Sequence, residues 1–259
     1  GEGKPPRPAL YEVLDALSAQ AKPEAALAVA EFVQAADQPQ ELVEKSFARL
    51  AQQLYSEWIE MRSNPVVLSA VRKGFQTPAL QAQALELAGD LEDPSLGADL
   101  LAVAKSEANP EAVRVQAIAA LGRTKNEAYV ADLEPMVQRG DVKLRVSAVR
   151  AIGNLKAKNL EEQMKQLLLS QAANEVRTEA VRILGRADSG CAILLELEQA
   201  GQLPAELRNV ASGVTNASPS AAIRGRAKRL LPPVVSKNRK PWPPIRELLA
   251  REGDAERGR

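Results

Sequence analysis

Residues 141–155 read DVKLRVSAVRAIGNL, a stretch with an acidic start, an arginine, a small alanine three residues after it and a glycine near the end. The same arrangement occurs at four other places in the chain. In each, a long polar residue is followed three positions on by Ala and, in four of the five copies, eight positions on by Gly. The polar residues, which we call the column residues, are Gln81, Arg114, Arg145, Arg177 and Arg208, at spacings of 33, 31, 32 and 31. So constant a period indicates internal repetition.

Each copy predicts one helix with marked ends. A Thr, Asn or Asp stands before the helix as an expected cap, and Pro78 and Pro110 suit first-turn positions. We expect the glycines to close the last turn in the left-handed conformation. They are Gly89, Gly122, Gly153 and Gly185. A second helical pattern lies between successive copies, so the repeating unit is a helical hairpin of roughly 32 residues.

A hairpin of this kind cannot bury its apolar stripe alone, so the hairpins must stack. The alanines three positions after the column residues are expected at helix–helix contacts, because small side chains allow close approach. They are Ala84, Ala117, Ala148, Ala180 and Ala211. The predicted fold class is therefore all-α, an α-solenoid of stacked hairpins with right-handed superhelical form. The composition of 44 Ala, 33 Leu and 3% aromatic residues agrees with helices packed in thin layers.

The repeats set the expected domain boundaries. The predicted segments are a linker (1–8), irregular N-terminal helical hairpins (9–76), the repeats (77–231), and a proline-rich basic linker with the start of a truncated following domain (232–259). Within the irregular part, residues 41–61 are expected to form one long helix. We expect Tyr55 and Trp58 to lie on that helix and to pack against a neighbouring hairpin.

Composition excludes several kinds of active site. The chain has no His and a single Cys, Cys191. Ser-His-Asp and Cys-His nucleophile systems, Cys/His zinc sites and covalent c-type haem attachment therefore cannot be built from it alone. Its apolar runs are far shorter than the roughly 20 residues of a membrane span. We expect no enzyme activity, no cofactor, no metal and no membrane span in this chain.

The repeated motif, Val or Leu before Arg, Ala three residues on and Gly at the end, resembles the second helix of HEAT repeats over residues 77–216. The resemblance implies an armadillo-like solenoid that serves as a scaffold or in protein–protein interaction. A narrower resemblance covers residues 226–259, with a basic run, prolines around Trp242 and GDAERGR at 253–259. This end is similar to the joint at which HEAT-like repeats of large secreted planctomycete-type proteins continue into a c-type cytochrome domain. It implies a periplasmic or otherwise exported parent protein that binds haem beyond Arg259.

The arginines of the column admit two interpretations. Arg114, Arg145, Arg177 and Arg208 could form a ladder that binds an anionic ligand. In HEAT-like arrays, however, this position bonds to carboxylates and carbonyls of the adjacent turn, with Asp141 and its equivalents as caps, and we favour that structural role. The four glycines recur about 32 residues apart, unlike the clustered glycines of a phosphate-binding loop. No catalytic, cofactor-binding or metal-binding residue is predicted.

Charge is distributed unevenly along the chain. Residues 220–259 carry 11 Lys and Arg against 4 Asp and Glu, whereas residues 1–219 carry 23 against 29. The basic end has one aromatic residue, Trp242, and suits a linker or docking segment better than a single-strand-binding surface. The first hypothesis is a non-catalytic HEAT-like module for protein–protein interaction or rigid spacing. Its partner would be another protein, or a neighbouring domain of the same polypeptide in an exported haem-containing redox protein.

Two alternatives belong to other functional classes. One is a nucleic-acid-handling solenoid that resembles the HEAT-like alkylpurine DNA glycosylases, which need a basic face and aromatics near the extruded base. The repeats have a net acidic balance, so we expect no specific DNA or RNA binding. The other alternative is a HEAT-like metal hydroxylase, which would need His-Glu pairs, and the chain has no His.

Overall fold

The structure, a computed structural model of the chain, describes residues 7–233 and Arg246. The described residues form fourteen α-helices, with single turns of 3-10 helix between some of them and no β-strand. The helices are α1 Arg7–Ser18, α2 Pro23–Gln34, α3 Gln40–Gln53, α4 Pro65–Phe75, α5 Gln81–Leu91, α6 Gly97–Lys105, α7 Glu111–Leu121, α8 Val130–Gln138, α9 Val142–Leu155, α10 Leu160–Leu169, α11 Asn174–Leu184, α12 Asp188–Gln199, α13 Arg208–Asn216 and α14 Ala221–Leu230.

The described helices divide between two compact units, one that ends at Leu184 and one that begins at Gly185. The first contains α1 to α11 and the second contains α12 to α14. The predicted all-α solenoid class is confirmed, because the described chain is all-α and its helices pack in adjacent pairs as in an α-solenoid, and the right-handed superhelical form stays a prediction. The predicted boundaries at residues 8, 76 and 231 divide the chain differently and stay predictions.

Two rows of helices make up most of the first unit. The repeat helices α5, α7, α9 and α11 each pack against the next, and we call them the repeat row. The helices α4, α6, α8 and α10 each pack against the repeat helix that follows, and we call them the bracing row. Each pair of one bracing and one repeat helix is therefore one of the predicted hairpins.

Polar side chains connect neighbouring helices of the bracing row. Arg72 Nε on α4 lies 2.8 Å from Asp99 Oδ2 on α6, and Lys105 Nζ on α6 lies 2.6 Å from Asp132 Oδ1 on α8. The amide of Gln163 on α10 donates to Glu134 Oε1 on α8 at 3.0 Å. Long side chains thus span from one bracing helix to the next, whereas the repeat helices meet through their backbones and small residues.

The alanines predicted at helix–helix contacts are confirmed as core residues. All five have no exposed surface: Ala84, Ala117, Ala148, Ala180 and Ala211. Larger apolar side chains fill the layer between the two rows. In α7, for example, Ile118 and Leu121 are fully buried beside Ala117. The alternation of small and large residues along each repeat helix gives close backbone approach on one side and a filled core on the other.

The prediction that the glycines end their helices in the left-handed conformation is wrong. Gly89 and Gly153 lie inside α5 and α9, and α7 ends at Gly122 with a right-handed φ of −62°. The left-handed residues that end α5 and α9 are Glu92 and Lys156, each with φ 54°. Among the described glycines, positive φ occurs at Gly140 and Gly201, outside the repeated motif.

The glycines are required instead by the approach of the next repeat helix. A Cβ added at Gly122 would lie 2.7 Å from the Cα of Ala151, and one added at Gly153 would lie 2.7 Å from Cδ1 of Ile183. At both glycines the residue met is the one six positions after the column residue of the next copy, whereas a Cβ added at Gly89 would lie nearest to Arg123 Nη1, at 3.3 Å. Gly185 and Val214 repeat the contact in the second unit. A side chain at the glycine position would therefore push successive repeat helices apart.

The predicted helix starts also need correction. α5 begins at Gln81, after a turn that contains Pro78, and Pro110 precedes α7 at its N-cap and not within its first turn. Asp141 stands at the N-cap of α9, but its side chain accepts no capping hydrogen bond. The first-turn amides of these helices are therefore not satisfied by the residues that the motif predicted as caps.

The predicted long helix over residues 41–61 is wrong, because α3 ends at Gln53 and a series of turns follows. Trp58 is buried as expected, with its indole N–H donating to the Gln20 carbonyl at 2.8 Å. Tyr55 is 52% exposed, and its hydroxyl donates a hydrogen bond to Asp90 on α5. Leaving the helix after Gln53 allows one aromatic ring to enter the core while the other faces solvent.

The second unit consists of three helices in mutual contact, α12, α13 and α14. The last of them, α14, is basic, and its first turn is capped by the Ser220 hydroxyl accepting from the Ile223 amide. The predicted proline-rich linker and start of a following domain fall almost wholly on residues 234–259, which lie outside the described residues except for Arg246. Within the described part of the chain, no helix has both the length and the apolar character needed to cross a membrane.

The contact at the glycine position can be tested in the second unit with a matched pair of substitutions. Gly185→Ala should lower the free energy of unfolding by roughly 1–3 kcal/mol, because the new methyl group would overlap Val214. Gly213→Ala, inside α13 with no atom within 4 Å of the added Cβ, should raise it by up to about 1 kcal/mol. Urea unfolding of both variants checks this, and equal effects would show that the close contact at Gly185 does not form.

Candidate interaction surface

One side of the repeat row is exposed, and we call it the repeat face. It is defined by the residues five positions after the column residues of α5, α7, α9 and α11, all of them exposed. These are Glu86, Ala119, Arg150 and Arg182. The residues nine positions after the column, Asp90, Arg123 and Asn154, extend the same face along α5, the turn after α7, and α9. Because the repeat helices pack in order, these side chains stand in rows across them.

A groove of about 330 Å³ runs between α5 and α7 on the repeat face. Gly89 and Ala120 line it, and these are the small residues at which the two helices approach each other. Its other lining residues include the carboxylate of Glu86, the amide of Gln116 and the guanidinium of Arg123. The groove therefore offers hydrogen-bond acceptors, donors and both charges along an apolar base.

A polar cluster around Asp90 stands beside this groove. The Asp90 carboxylate accepts a hydrogen bond from the Tyr55 hydroxyl, and Arg123 Nη1 donates to its other oxygen at 2.5 Å. Arg62 donates to the backbone carbonyl of Asp90, and its guanidinium lies 5.8 Å from the centre of the Tyr55 ring. Four side chains from α5, α7 and the segment after α3 are thus held in one arrangement.

The environment of Tyr55 keeps its hydroxyl protonated. Desolvation, the hydrogen bond to Asp90 and the negative charges of Asp90 and Glu86 raise the pKa of Tyr55 to about 12, against an opposing effect of Arg62. The phenol is consequently a hydrogen-bond donor at any physiological pH. It holds Asp90 in place and does not act as a base.

A second polar cluster lies between α9 and α11, around Glu179. Arg150 donates to both oxygens of the Glu179 carboxylate, with Nε to Oε1 and Nη2 to Oε2 each at 3.0 Å. Arg182 Nη1 donates to Oε2 at 3.2 Å. Glu179 is 2% exposed, whereas the side chains of Arg150 and Arg182 are 53% and 56% exposed. One buried carboxylate therefore orients two half-exposed guanidinium groups.

Glu179 is ionised in spite of its burial. Desolvation alone would raise the pKa of the Glu179 carboxyl, but the hydrogen bonds and positive charges of Arg150 and Arg182 outweigh it and hold the pKa below its usual value. Hydrogen bonding to Glu179 correspondingly raises the pKa of Arg150. The cluster is charged throughout the physiological range.

The predicted site residues of the column face into the hairpins. The guanidinium Nε of three arginines donates to a carbonyl in the last turn of the bracing helix before it: Arg114 to Ala104 at 3.0 Å, Arg145 to Val137 at 2.8 Å and Arg177 to Leu168 at 2.9 Å. These carbonyls have no partner within their own helix. The cation at a helix C-terminus also opposes the helix dipole favourably. This is the contact that the structural interpretation of the column predicts.

The first and last column residues vary this contact. Gln81 donates through Nε2 to the carbonyl of Phe75, the last residue of α4, at 2.9 Å. Arg208, in the second unit, donates to the side chain of Glu198 at 3.0 Å and not to a backbone carbonyl. In these two copies the column residue still bonds to the preceding helix, but the donor is an amide in the first and the acceptor is a carboxylate in the last.

The paired charged residues of the repeat face were not predicted from the sequence, although a signal for them exists. Asp90 and Arg123 both stand nine positions after a column residue, in consecutive copies and with opposite charge. Arg150 and Arg182 both stand five positions after one. Reading the charges by repeat position would have paired the first two across α5 and α7. Tyr55 gave no such signal, because the predicted long helix placed it elsewhere.

Two further observations concern chemistry elsewhere in the chain. The thiol of Cys191 in α12 is buried, and this burial together with the charge of Asp188 raises its pKa. Cys191 is thus a core residue of the second unit. Among residues 7–233 and Arg246, no group of three or more His, Cys, Asp and Glu side chains is arranged to hold a metal ion.

Comparison with known proteins gives a fold likeness without a family. No protein-family model matches the chain, and no curated protein matches it in sequence. One solved structure that it resembles is that of human deoxyhypusine hydroxylase in complex with glycerol. The likeness covers 81% of this chain and 95% of that one, with 11% sequence identity and a TM-score of 0.42.

This likeness corrects the expectation that the chain is not an enzyme. The prediction is contradicted, since a helical chain of similar extent is an enzyme. At this identity and TM-score the likeness assigns no activity, substrate or active-site residue to the chain.

The Glu179 cluster predicts a pH-dependent stability. Because the folded pKa of Glu179 lies below the unfolded value near ~4.3, its contribution is present above that pH and is lost as the pH falls through the folded pKa. Glu179→Gln should therefore lower the free energy of unfolding by roughly 1–2 kcal/mol at pH 7. The difference from the natural protein should shrink in urea unfolding series towards pH 3.5. Glu107→Gln, at an exposed loop position, is the control, and a pH-independent difference for Glu179→Gln would contradict the prediction.

The Asp90 cluster predicts a tyrosine that resists ionisation. Alkaline titration by ultraviolet absorbance should show a component that remains protonated well above the ordinary tyrosine pKa of about 10 and that disappears in Tyr55→Phe. Asp90→Asn should lower the pKa of this component, because the negative charge that disfavours the phenolate is removed. An unchanged component in Asp90→Asn would exclude the contact between Tyr55 and Asp90.

Proposed function

We propose that the protein is a helical-repeat module that binds a protein partner, or a neighbouring domain of its own polypeptide, on the repeat face. The observation that carries the proposal is the fixed arrangement of charged side chains on that face. Arg123 is held by Asp90 from α5, and Arg150 is held by Glu179 from α11. Side chains that are already ordered lose little further entropy when a partner docks, which favours binding.

The groove between α5 and α7 supports a peptide-like occupant. An extended chain carries backbone donors and acceptors on both sides together with apolar groups, and the groove offers a carboxylate, an amide and a guanidinium above Gly89 and Ala120. Protein interfaces combine apolar contact with hydrogen bonds at their edges in the same way. The chemistry of the groove therefore suits a segment of another protein.

The contacts within and between hairpins support a role as a rigid scaffold or spacer. Each of α6, α8 and α10 is bonded at its last turn to the column arginine of the following helix. From α7 onward, successive repeat helices of the first unit meet at Gly122 and Gly153, where there is no room for a Cβ. A module built in this way holds whatever it binds at a fixed position along the row, as a scaffold or spacer requires.

The charges of the repeats favour protein over nucleic acid as the partner. Residues 1–219 carry more acidic than basic side chains, and on α5 the repeat face presents Glu86 and Asp90. Phosphate backbones are bound by clusters of unpaired Lys and Arg, whereas Arg123 and Arg150 are each paired with a carboxylate. The repeat face thus has the mixed charge that is usual at protein–protein interfaces.

We further propose, from the sequence resemblance at residues 226–259, that the parent protein is exported to the periplasm and carries a c-type cytochrome domain. The coding sequence beyond Arg259 tests this. A Cys-x-x-Cys-His motif within a few tens of residues would support the haem-containing parent, and a continuation without it would contradict it.

Site-specific photo-crosslinking tests the proposed interaction. A benzoylphenylalanine at Ala119, in the groove of the repeat face, should form a covalent adduct with a protein in cells that make the natural polypeptide. The same residue at Ala98, exposed on α6 in the bracing row, is the matched control and should not. Equal adducts at both positions, or none at Ala119, would contradict the proposal. Adducts at Ala119 that nuclease removes would favour the nucleic-acid-handling alternative.

A further inference from the structure

Arg150 and Arg182 are neighbouring cations on the repeat face. They occupy the same repeat position on α9 and α11, and both bond to Oε2 of Glu179. Two cations that bond to the same carboxylate oxygen lie close together and repel each other unless an anion lies between them. Glu179 is that anion on the buried side, and solvent occupies the other side of both guanidinium groups.

This cluster has an excess of positive charge. Two guanidinium groups face one carboxylate, and Lys143 and Glu175, two helical turns before them on α9 and α11, offset each other. The opposite end of the repeat face is balanced, because Glu86 and Asp90 stand there with Arg62 and Arg123. The excess positive charge of the repeat face therefore lies between α9 and α11.

The two arginines are also prepared for a second carboxylate. Arg150 gives Nε and Nη2 to Glu179 and Arg182 gives Nη1, so each guanidinium has further N–H groups on its exposed side. More than half of each side chain is exposed. A carboxylate placed between them would accept charge-assisted hydrogen bonds from both without any reorganisation of the side chains.

We propose that an acidic segment of the protein partner docks on α9 and α11, with one Asp or Glu carboxylate between Arg150 and Arg182. This inference rests on the proposed function and names the chemistry of the partner. A peptide fits better than a nucleic acid, because the site holds one arginine pair without an aromatic residue for base stacking.

Fluorescence anisotropy with a labelled oligoglutamate peptide tests the docking site. The natural sequence should bind the peptide, and Arg182→Gln should weaken binding roughly 10-fold, because one charge-assisted contact is lost. Arg182→Gln leaves Glu179 with both bonds from Arg150, so the variant should keep its fold, as circular dichroism can verify. Arg182→Lys should restore only part of the affinity, since an ammonium lacks the planar donors of a guanidinium.

Lys105→Gln is the matched control, because it also removes one positive charge and one ion pair, on the bracing row. It should leave the affinity for oligoglutamate unchanged. Equal weakening by Lys105→Gln and Arg182→Gln, or no binding by the natural sequence, would overturn the proposal. Tighter binding of a single-stranded oligodeoxynucleotide that is lost in Arg182→Gln would assign the site to phosphates and would also overturn it.

The failure of this inference can be told apart from failure of the proposed function. If oligoglutamate does not bind while the crosslink at Ala119 still forms, the repeat face binds a protein and the acidic docking point is wrong. If neither forms, both proposals are wrong. If the peptide binds as expected, Arg182→Gln should also reduce the crosslink at Ala119, because the partner loses one of its docking contacts.

Discussion

The close approach of successive repeat helices is the constraint on which the rest of the structure depends. At Gly122 and Gly153 there is no room for a Cβ, because the backbone or side chain of the next helix occupies that space. The distance between α7 and α9 is therefore set by the backbone of Ala151, and the distance between α9 and α11 by the packed side chain of Ile183. The side chains of the repeat face inherit this spacing, which is why Asp90 can reach Arg123 and Arg150 can reach Glu179.

The column arginines fix the other dimension of the hairpin. Arg114, Arg145 and Arg177 each satisfy a carbonyl that the bracing helix leaves without a partner, so one side chain both ends the bracing helix and attaches it to the repeat helix. These contacts agree with the structural interpretation of the column and not with a ladder that binds an anionic ligand. The cations that face solvent are Arg123, Arg150 and Arg182, which stand five or nine positions after a column residue on the exposed side of the repeat row.

The period of the motif and the buried alanines were sufficient to predict the fold class, because both follow from packing that repeats. The role of the glycines was not predictable in the same way, since a glycine that ends a helix and one that admits a neighbouring helix look alike in sequence. Glu92 and Lys156, which do adopt the left-handed conformation, are residues that rarely signal a helix end. The candidate site was missed because its residues lie on the exposed side, where the repeat pattern is weakest. Only a comparison of charge across copies pairs them.

The regular contact between copies has a consequence for how such a chain can evolve. At Gly122, Gly153 and Gly185 the packing contact joins the same two positions of adjacent copies, so a copy duplicated or deleted among these would meet its new neighbour with glycine against the matching position. The ion pairs are not interchangeable in this way. Moving α7 away from α5 would leave Asp90 without Arg123, and separating α9 from α11 would leave Glu179 buried without Arg150. The packing contacts therefore do not fix the number of copies, whereas the ion pairs require the copies to stand in their present order.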